Sequence, residues 1–243
     1  MIVLFTDFGL AGPYVGQVKA ALATAAPAVP VIDLFADAPA ADPFRAAYLL
    51  AAYDDRFGPG TVFLAIVDPG VGGARPPVAL HADGRWYVGP GNGLFELVMR
   101  RAAKAELHRI SWLPDGLSAS FHGRDLFAPV AAQIALGNIR PFLQPGGGLE
   151  MPGADWPDDL AELVYIDHYG NAMTGLRSGA VSPHAILGVA GARVMHASVF
   201  SEVAEGKSFW YVNANGLVEI AVNRGHAAQQ LGLAIGMRIT IEK

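Results

Sequence analysis

The fold is decided by the apolar run TVFLAIV at residues 61–67, which ends in the glycine-rich stretch DPGVG at residues 68–72. Apolar and β-branched residues without alternation are typical of a strand buried on both faces of a parallel sheet. Polar groups at the carboxyl ends of such strands usually lie beside the ligand. Asp68, which directly follows the run, is therefore the first candidate for chemistry.

Similar β-branched runs alternate with alanine-rich helical segments through the first half of the chain, and this alternation predicts an α/β fold. The same alternation predicts a mainly parallel sheet that is covered by helices. The expected strands are residues 2–5, 31–35 and 61–67, followed by a hairpin of 78–81 and 86–88 around Asp83-Gly84. The expected helices are residues 13–25, 43–53, 92–103 and 124–136.

A proline- and glycine-rich segment at residues 141–157 has the composition of a linker. We therefore predict an N-terminal α/β domain over residues 1–145, a linker over 146–160 and a smaller β-rich domain over 161–243. The second domain is expected from short, glycine-punctuated strands at 162–166, 185–189, 209–212 and 217–222, with a helix at 227–231 before a final strand.

Composition narrows the possible partners. The 243 residues include 22 acidic and 17 basic side chains, and the net charge of −5 comes without the basic stripe that holds phosphate backbones, so nucleic acid is not expected. The charged share is 16% and the hydrophobic share 52%, which indicates extensive buried surface and favours an oligomer. There is no cysteine, so the chemistry has to use oxygen and nitrogen groups.

The sequence predicts a cytoplasmic protein. The N-terminal MIVLFTD lacks a basic region and reaches a carboxylate too early for a signal peptide. Apolar stretches such as residues 46–52 are too short to suggest a membrane span, so no membrane partner is expected.

Asp68 and Arg75 are separated by a glycine-rich loop that is able to fold back and pair the guanidinium with the carboxylate. Such a pair is often only structural. His122 is one of 7 histidines, and sequence spacing alone does not bring it to Asp68. Arg124 and Asp125 are expected to begin a helix, where an acidic side chain favours the positive end of the helix dipole.

Several other polar residues stand in glycine-containing turns. They are Asp7 after the first strand, Asp167 and Asn171 in DHYGN, and Asn213 and Asn215 in NANG. Turn geometry alone explains residues of this kind, and a ligand pocket explains them equally well.

Six motifs in order resemble one family over essentially the full length of the chain. They are TDFG at 6–9, DPGVG at 68–72, GPGNG at 89–93, FHGRD at 121–125, DHYGN at 167–171 and NANG at 213–216. The chain resembles the S-adenosyl-L-methionine hydroxide adenosyltransferases, which are related to the fluorinase and chlorinase enzymes.

The resemblance implies an N-terminal α/β domain and a C-terminal β-barrel-like domain, assembled as a homotrimer with sites between subunits. It implies a hydrolase that cleaves S-adenosyl-L-methionine with water to adenosine and methionine, without a cofactor or metal. The implied catalytic residues are Asp68, Arg75 and His122, identities that the halide-using relatives replace. Which group takes the proton of the water stays open.

The resemblance also implies a set of substrate contacts. Asp7 is expected to bind the ribose hydroxyls, Asn171 the adenine and Asp167 the ammonium of the methionine part. The remaining expected lining residues are Phe200, which stacks on adenine, and Tyr211, Asn213 and Asn215. The chain departs from the family pattern at two places that bear on affinity, Gly12 and Ala214.

Three alternatives remain at this stage. One is a halide-dependent adenosyltransferase of the chlorinase kind. Another is a non-catalytic sensor that binds S-adenosyl-L-methionine or adenosine. The last is a metal-dependent hydrolase, with metal ligands drawn from Asp7, Asp68, Asp125 and His122. It is disfavoured because the sequence contains none of the usual spacings of metal ligands.

Overall fold

The computed structural model describes residues 1–242, with all their side chains except that of Asp55. The chain divides into two compact units, Met1–Asp155 and Trp156–Lys243. Each unit is built on its own sheet of seven strands. The boundaries predicted above, with a linker over 146–160, stay a prediction.

The first unit combines strands with α-helices. Its strands are β1 (Ile2–Thr6), β2 (Val31–Phe35), β3 (Val62–Ile66), β4 (Pro77–Ala82), β5 (Arg85–Pro90), β6 (Ala105–Ile110) and β7 (Leu143–Pro145). Its α-helices are α1 (Tyr14–Ala25), α2 (Pro43–Tyr53), α3 (Glu96–Arg101) and α4 (Ala128–Ala135). A 3₁₀ turn lies at Asp54–Arg56, and a π-helical turn at Gly123–Phe127 precedes α4.

The sheet of the first unit has the strand order β2-β1-β3-β5-β4-β6-β7. Its first three pairings are parallel and its last three are antiparallel. The prediction of a mainly parallel sheet is therefore wrong, since the sheet is mixed. The physical reason is the two-residue turn at Asp83 (φ 45°) and Gly84 (φ 81°), which reverses the chain between β4 and β5.

The side chains of strand β3 are buried on both faces of this sheet. Val62, Leu64 and Ile66 pack into the cluster that includes residues of α1 and α4. Phe63 faces the other way and stacks on Tyr87 with ring centroids 4.9 Å apart. Each fully buried side chain of this size stabilises the fold by about 1.5–3 kcal/mol.

Two predicted helices differ from the observed ones. The helix expected at 92–103 spans only Glu96–Arg101, because the Asn92 side chain donates to the carbonyl of Val67 (2.8 Å) and Gly93 has a φ of 98°. The helix expected at 124–136 is divided between the π-helical turn and α4.

The second unit is a mostly antiparallel sheet that curls into a half-barrel. Its strands are β8 (Leu160–Ile166), β9 (Ala172–Arg177), β10 (Ile186–Val189), β11 (Ala192–His196), β12 (Ser208–Val212), β13 (Leu217–Val222) and β14 (Thr240–Glu242), with helix α5 at Ala227–Leu231. The strand order is β14-β10-β11-β12-β13-β9-β8.

Backbone hydrogen bonds draw the two edges of this sheet together. Strand β14 pairs with β10 at one edge. The residues just before β14 bond to β8 at the other edge, since Leu163 N donates to Met237 O (2.9 Å) and Ile239 N donates to Ala161 O (2.8 Å). The curl follows from these bonds. Within residues 1–242, no helix is both long and apolar enough to cross a membrane.

Candidate active site

Two carboxylates lie at the same edge of the first sheet. Asp7 follows β1 and Asp68 follows β3, and these parallel strands pair in register up to Thr6 and Ile66. The Asp7 carboxylate accepts a hydrogen bond from the backbone N–H of Ala41 at 2.8 Å. Burial raises the pKa of Asp7, and the nearby charge of Asp68 adds to that increase against the opposing effect of this bond.

Arg75 lies between Asp68 and His122. Its Nε donates to both carboxylate oxygens of Asp68 at 3.0 Å, and its Nη2 donates to Asp68 Oδ2 at 2.5 Å. The same Nη2 contacts His122 Nδ1 at 3.0 Å. The side chains of Arg75 and Asp68 are only 10% and 5% exposed, so solvent screens their interaction weakly. The structure thus brings together the three side chains that the resemblance singled out.

A tight loop lets Arg75 return to Asp68. Gly73 N donates to Gly70 O at 2.9 Å within this loop. Gly72 has a φ of 77°, and a Cβ placed on it would lie 2.4 Å from the carbonyl oxygen of Ala119. Glycine is therefore required where the loop presses against the segment that leads to His122.

A polar clamp holds the segment that carries His122. The Asp125 carboxylate accepts from Ser118 N at 3.2 Å and from Arg124 Nε at 2.5 Å. The π-helical turn begins immediately after His122, at Gly123. Turns of this kind are frequent at functional sites. Arg124 and Asp125, expected only to begin a helix, therefore also brace this segment.

The contact with Arg75 fixes the tautomer of His122. A guanidinium has only donors, so His122 Nδ1 has to be the acceptor, and the neutral ring carries its proton on Nε2. Burial lowers the pKa of His122, and the charge of Arg75 lowers it further, against the smaller opposing effects of Asp68 and Asp125. His122 is therefore a neutral ring that offers an N–H to whatever approaches Nε2.

A cavity of about 270 Å³ opens beside these groups. Its polar lining residues include Asp7, Asp68 and His122, and Phe8 and Phe121 form an aromatic wall with ring centroids 5.8 Å apart. Few polar groups on a mostly apolar surface are the usual form of a small-molecule site. Among residues 1–242, no three acidic or histidine side chains are grouped so that they could hold a metal ion.

The second unit contains the other predicted binding residues. In the turn after β8, Asn171 N donates to Asp167 Oδ1 at 2.8 Å and Asn171 Nδ2 donates to Asp167 Oδ2 at 3.1 Å. Gly170 has a φ of 83°, and a Cβ there would overlap the ring of His226. The two hydrogen bonds thus hold Asp167 and Asn171 side by side, and the turn requires glycine at position 170.

Phe200 and Tyr211 lie together near the end of β12. Their ring centroids are 5.4 Å apart, and Phe200 is about one-third exposed. Asn213 Oδ1 accepts from the backbone N–H groups of Asn215 (3.0 Å) and Leu217 (3.1 Å). The side chain of Asn213 therefore builds the NANG turn, and the ligand contacts of Asn213 and Asn215 stay predictions.

Sequence reasoning missed Glu219. It lies in β13, is 2% exposed, and accepts from Tyr211 Oη and Asn213 Nδ2, both at 2.7 Å. Burial raises its pKa, with a smaller contribution from the charge of Asp167 that these two hydrogen bonds oppose. The available signal was a carboxylate in the otherwise apolar strand LVEIAV.

The chain is similar to known proteins over nearly its full length. The SAM hydroxide adenosyltransferase N-terminal domain matches residues 2–142, and the C-terminal domain of the same name matches residues 161–240. A Thermus thermophilus protein named (R)-S-adenosyl-L-methionine hydrolase is 42% identical, over 99% of this chain and 98% of its own length. One of the same name from Salinispora arenicola is 36% identical, over 97% and 95%.

The fold has a solved counterpart as well. The crystal structure of an uncharacterized conserved protein from Thermotoga maritima has a TM-score of 0.89 and 28% identity, and the match covers 100% of both chains. The resemblance seen in the six motifs is confirmed by these matches. The chain belongs to the SAM hydroxide adenosyltransferase family.

Proposed function

We propose that this protein hydrolyses S-adenosyl-L-methionine to adenosine and L-methionine. The observation that carries the proposal is Arg75, which holds Asp68 on one side and His122 on the other beside a cavity at the carboxyl edge of the sheet. The relatives named as hydrolases of this compound, over nearly the full chain, support the same reaction.

The reaction needs a positioned nucleophile and little else. The sulfonium makes methionine a neutral leaving group, so the oxygen of water forms a bond to C5′ while the electron pair of the C5′–S bond returns to sulfur. The water proton is released to solvent. Arg75 and the Nε2–H of His122 stabilise the attacking oxygen as it loses its proton, in the manner of preorganised donors at an oxyanion.

His122 acts as a donor in this scheme and not as the general base. Its Nδ1 lone pair is engaged by Arg75 and its Nε2 already carries the proton. Asp68 stabilises the guanidinium charge and orients it through bonds to two of its nitrogens. The nucleophile is thus water that loses its proton to solvent as it attacks.

The substrate contacts implied by the resemblance complete the proposal. Asp7 binds the ribose, Asn171 the adenine and Asp167 the methionine ammonium. The other four contact residues carried over from the resemblance are Phe200, Tyr211, Asn213 and Asn215. The carboxylates of Asp7 and Asp167 suit these roles, because ribose hydroxyls and an ammonium group are hydrogen-bond donors and a carboxylate accepts from both.

We further propose a cytoplasmic homotrimer with its sites between subunits and with no cofactor or metal. Leu10 is 81% exposed and Tyr14 49% exposed on the segment that follows Asp7, and this apolar surface supports coverage by a neighbouring subunit. Sedimentation of the purified protein tests the trimer, and full activity after chelator treatment tests the absence of a metal.

Activity is expected to persist below pH 6.5 and then to fall as His122 gains a proton. The His122 pKa is lowered in the fold, so the ring stays neutral until the pH falls through that lowered value. The unfolded chain binds this proton first, so His122 also stabilises the fold less as the pH falls from about 6.5 toward the lowered pKa.

The measurement is kcat/KM from pH 4 to 8, with reversibility checked by return to neutral pH. An acid limb centred at or above pH 6.5 would show that Arg75 does not hold His122 in its neutral form. The His122→Asn variant is the control, since it should lose this acid limb along with most of the activity.

Product analysis with and without halide separates the remaining functions. We expect adenosine at equal rates in chloride-free and chloride-containing buffer. Formation of 5′-chloro-5′-deoxyadenosine that depends on chloride would instead identify a halide-dependent adenosyltransferase. Saturable binding without product in either buffer would identify a ligand sensor.

A further inference from the structure

Glu219 is a buried carboxylate in an otherwise apolar strand. All six residues of β13 are buried, and Glu219 is 2% exposed among apolar neighbours. Burial of an ionised carboxylate is unfavourable unless its oxygens are fully paired, and an apolar residue of similar volume often stabilises a fold equally well. Its presence therefore indicates a task beyond packing.

The partners of Glu219 indicate that task. Tyr211 lies directly opposite it on β12 and donates its phenol proton to Oε1 at 2.7 Å. Asn213 donates from Nδ2 to Oε2 at the same distance. The remaining oxygen of the Asn213 side chain holds the backbone of Asn215 and Leu217. One carboxylate thus fixes a phenol, an amide and the turn that follows them.

The charge state of Glu219 sets the polarity of this arrangement. An ionised carboxylate accepts both bonds, whereas a protonated acid has to turn one oxygen into a donor. In an isosteric amide, the NH₂ group faces either the NH₂ group of Asn213, where two donors oppose each other, or the phenol, whose proton then has to point elsewhere. Orientation of Tyr211 and Asn213 therefore depends on the carboxylate itself and not on its shape.

We propose that Glu219 is a positioning residue that orients Tyr211 and Asn213 for binding of S-adenosyl-L-methionine. This assignment rests on the proposed function and on the binding roles of Tyr211 and Asn213 within it. Glu219 acts through these two side chains, so it affects substrate affinity and leaves the chemical step at Arg75 and His122 unchanged.

The test is steady-state kinetics of the full-length Glu219→Gln variant. We expect KM for S-adenosyl-L-methionine to rise about tenfold or more, while kcat changes less than about twofold. In the double variant with Tyr211→Phe, the rise in KM should be smaller than the product of the two single effects, because both changes disrupt the contact between Tyr211 and Glu219. Glu205→Gln is the matched control, since Glu205 is exposed and pairs only with Arg224 among the described residues.

The outcomes separate this assignment from the proposed function. If the wild type cleaves the substrate and the Glu219→Gln variant has an unchanged KM, the assignment of Glu219 is overturned and the proposed function is not. A wild type that neither binds nor cleaves the substrate overturns both. If Glu219→Gln fails to fold, the Glu219→Asp variant replaces it, because the shorter side chain keeps the charge but moves it away from both partners. A raised KM with retained kcat then supports the assignment, and an unchanged KM overturns it.

Discussion

Replacement of Arg75 by methionine is expected to lower kcat for adenosine formation about 10²–10³-fold. The change removes the donor to His122 Nδ1 and the charge that stabilises the attacking oxygen. It also leaves the Asp68 carboxylate, 5% exposed, without the guanidinium that pairs with it, which costs about 3 kcal/mol of unfolding free energy. Kinetics and urea unfolding of the same preparation measure both effects.

A double variant separates catalysis from stability. Asp68→Asn combined with Arg75→Met removes both charges, so most of the stability should return while the activity stays lost. Arg177→Met is the matched control, because Arg177 binds Asp159 through Nε and Nη2 as Arg75 binds Asp68. That pair is more exposed, so its loss should cost less than about 1 kcal/mol and spare kcat. An Arg75→Met variant that keeps a tenth of the wild-type kcat would contradict the proposal.

The Gly72→Ala variant is expected to lose about 10²-fold in kcat although Gly72 has no side chain to offer a substrate. Its φ of 77° is unfavourable for alanine, and the new Cβ would lie 2.4 Å from the Ala119 carbonyl oxygen. The loop therefore has to move away from the segment that carries His122, and Arg75 moves with it. We expect a loss of stability of about 1–3 kcal/mol as well.

Gly16→Ala provides the comparison for this loop variant. Gly16 lies on the exposed side of α1, and a Cβ there meets nothing within 4 Å. Alanine should stabilise the helix there by up to about 1 kcal/mol without a change in kcat. Thermal unfolding and kinetics of both variants provide the readouts. A Gly72→Ala variant with wild-type kcat would show that close packing of the two segments is not needed.

Local rules of strand chemistry predicted part of this site. The parallel pairing of β1 with β3 places Asp7 and Asp68 at one edge, as expected from the carboxyl ends of two buried runs. The return of Arg75 to Asp68 follows from a short loop whose glycines permit the required turn. His122 is different, because it lies 47 residues from Arg75 in sequence and only tertiary packing brings the two together.

The predictions that were wrong or incomplete also concern features that depend on tertiary packing. Periodicity identified β4 and β5 as strands but gave no direction for the sheet beyond their hairpin, and β6 and β7 also pair antiparallel there. Glu219 was overlooked because a carboxylate in a strand is ordinarily assigned to the solvent face. Its burial depends on cross-strand partners that sequence patterns do not reveal.

The central claim is attack of water at C5′, and ¹⁸O-labelled water tests it most directly. Chelator-treated protein is incubated with S-adenosyl-L-methionine in the labelled water, and the products are analysed by mass spectrometry. We predict one ¹⁸O atom in adenosine, at the 5′-oxygen, and none in methionine. Label in methionine, or adenosine without label, would contradict the account.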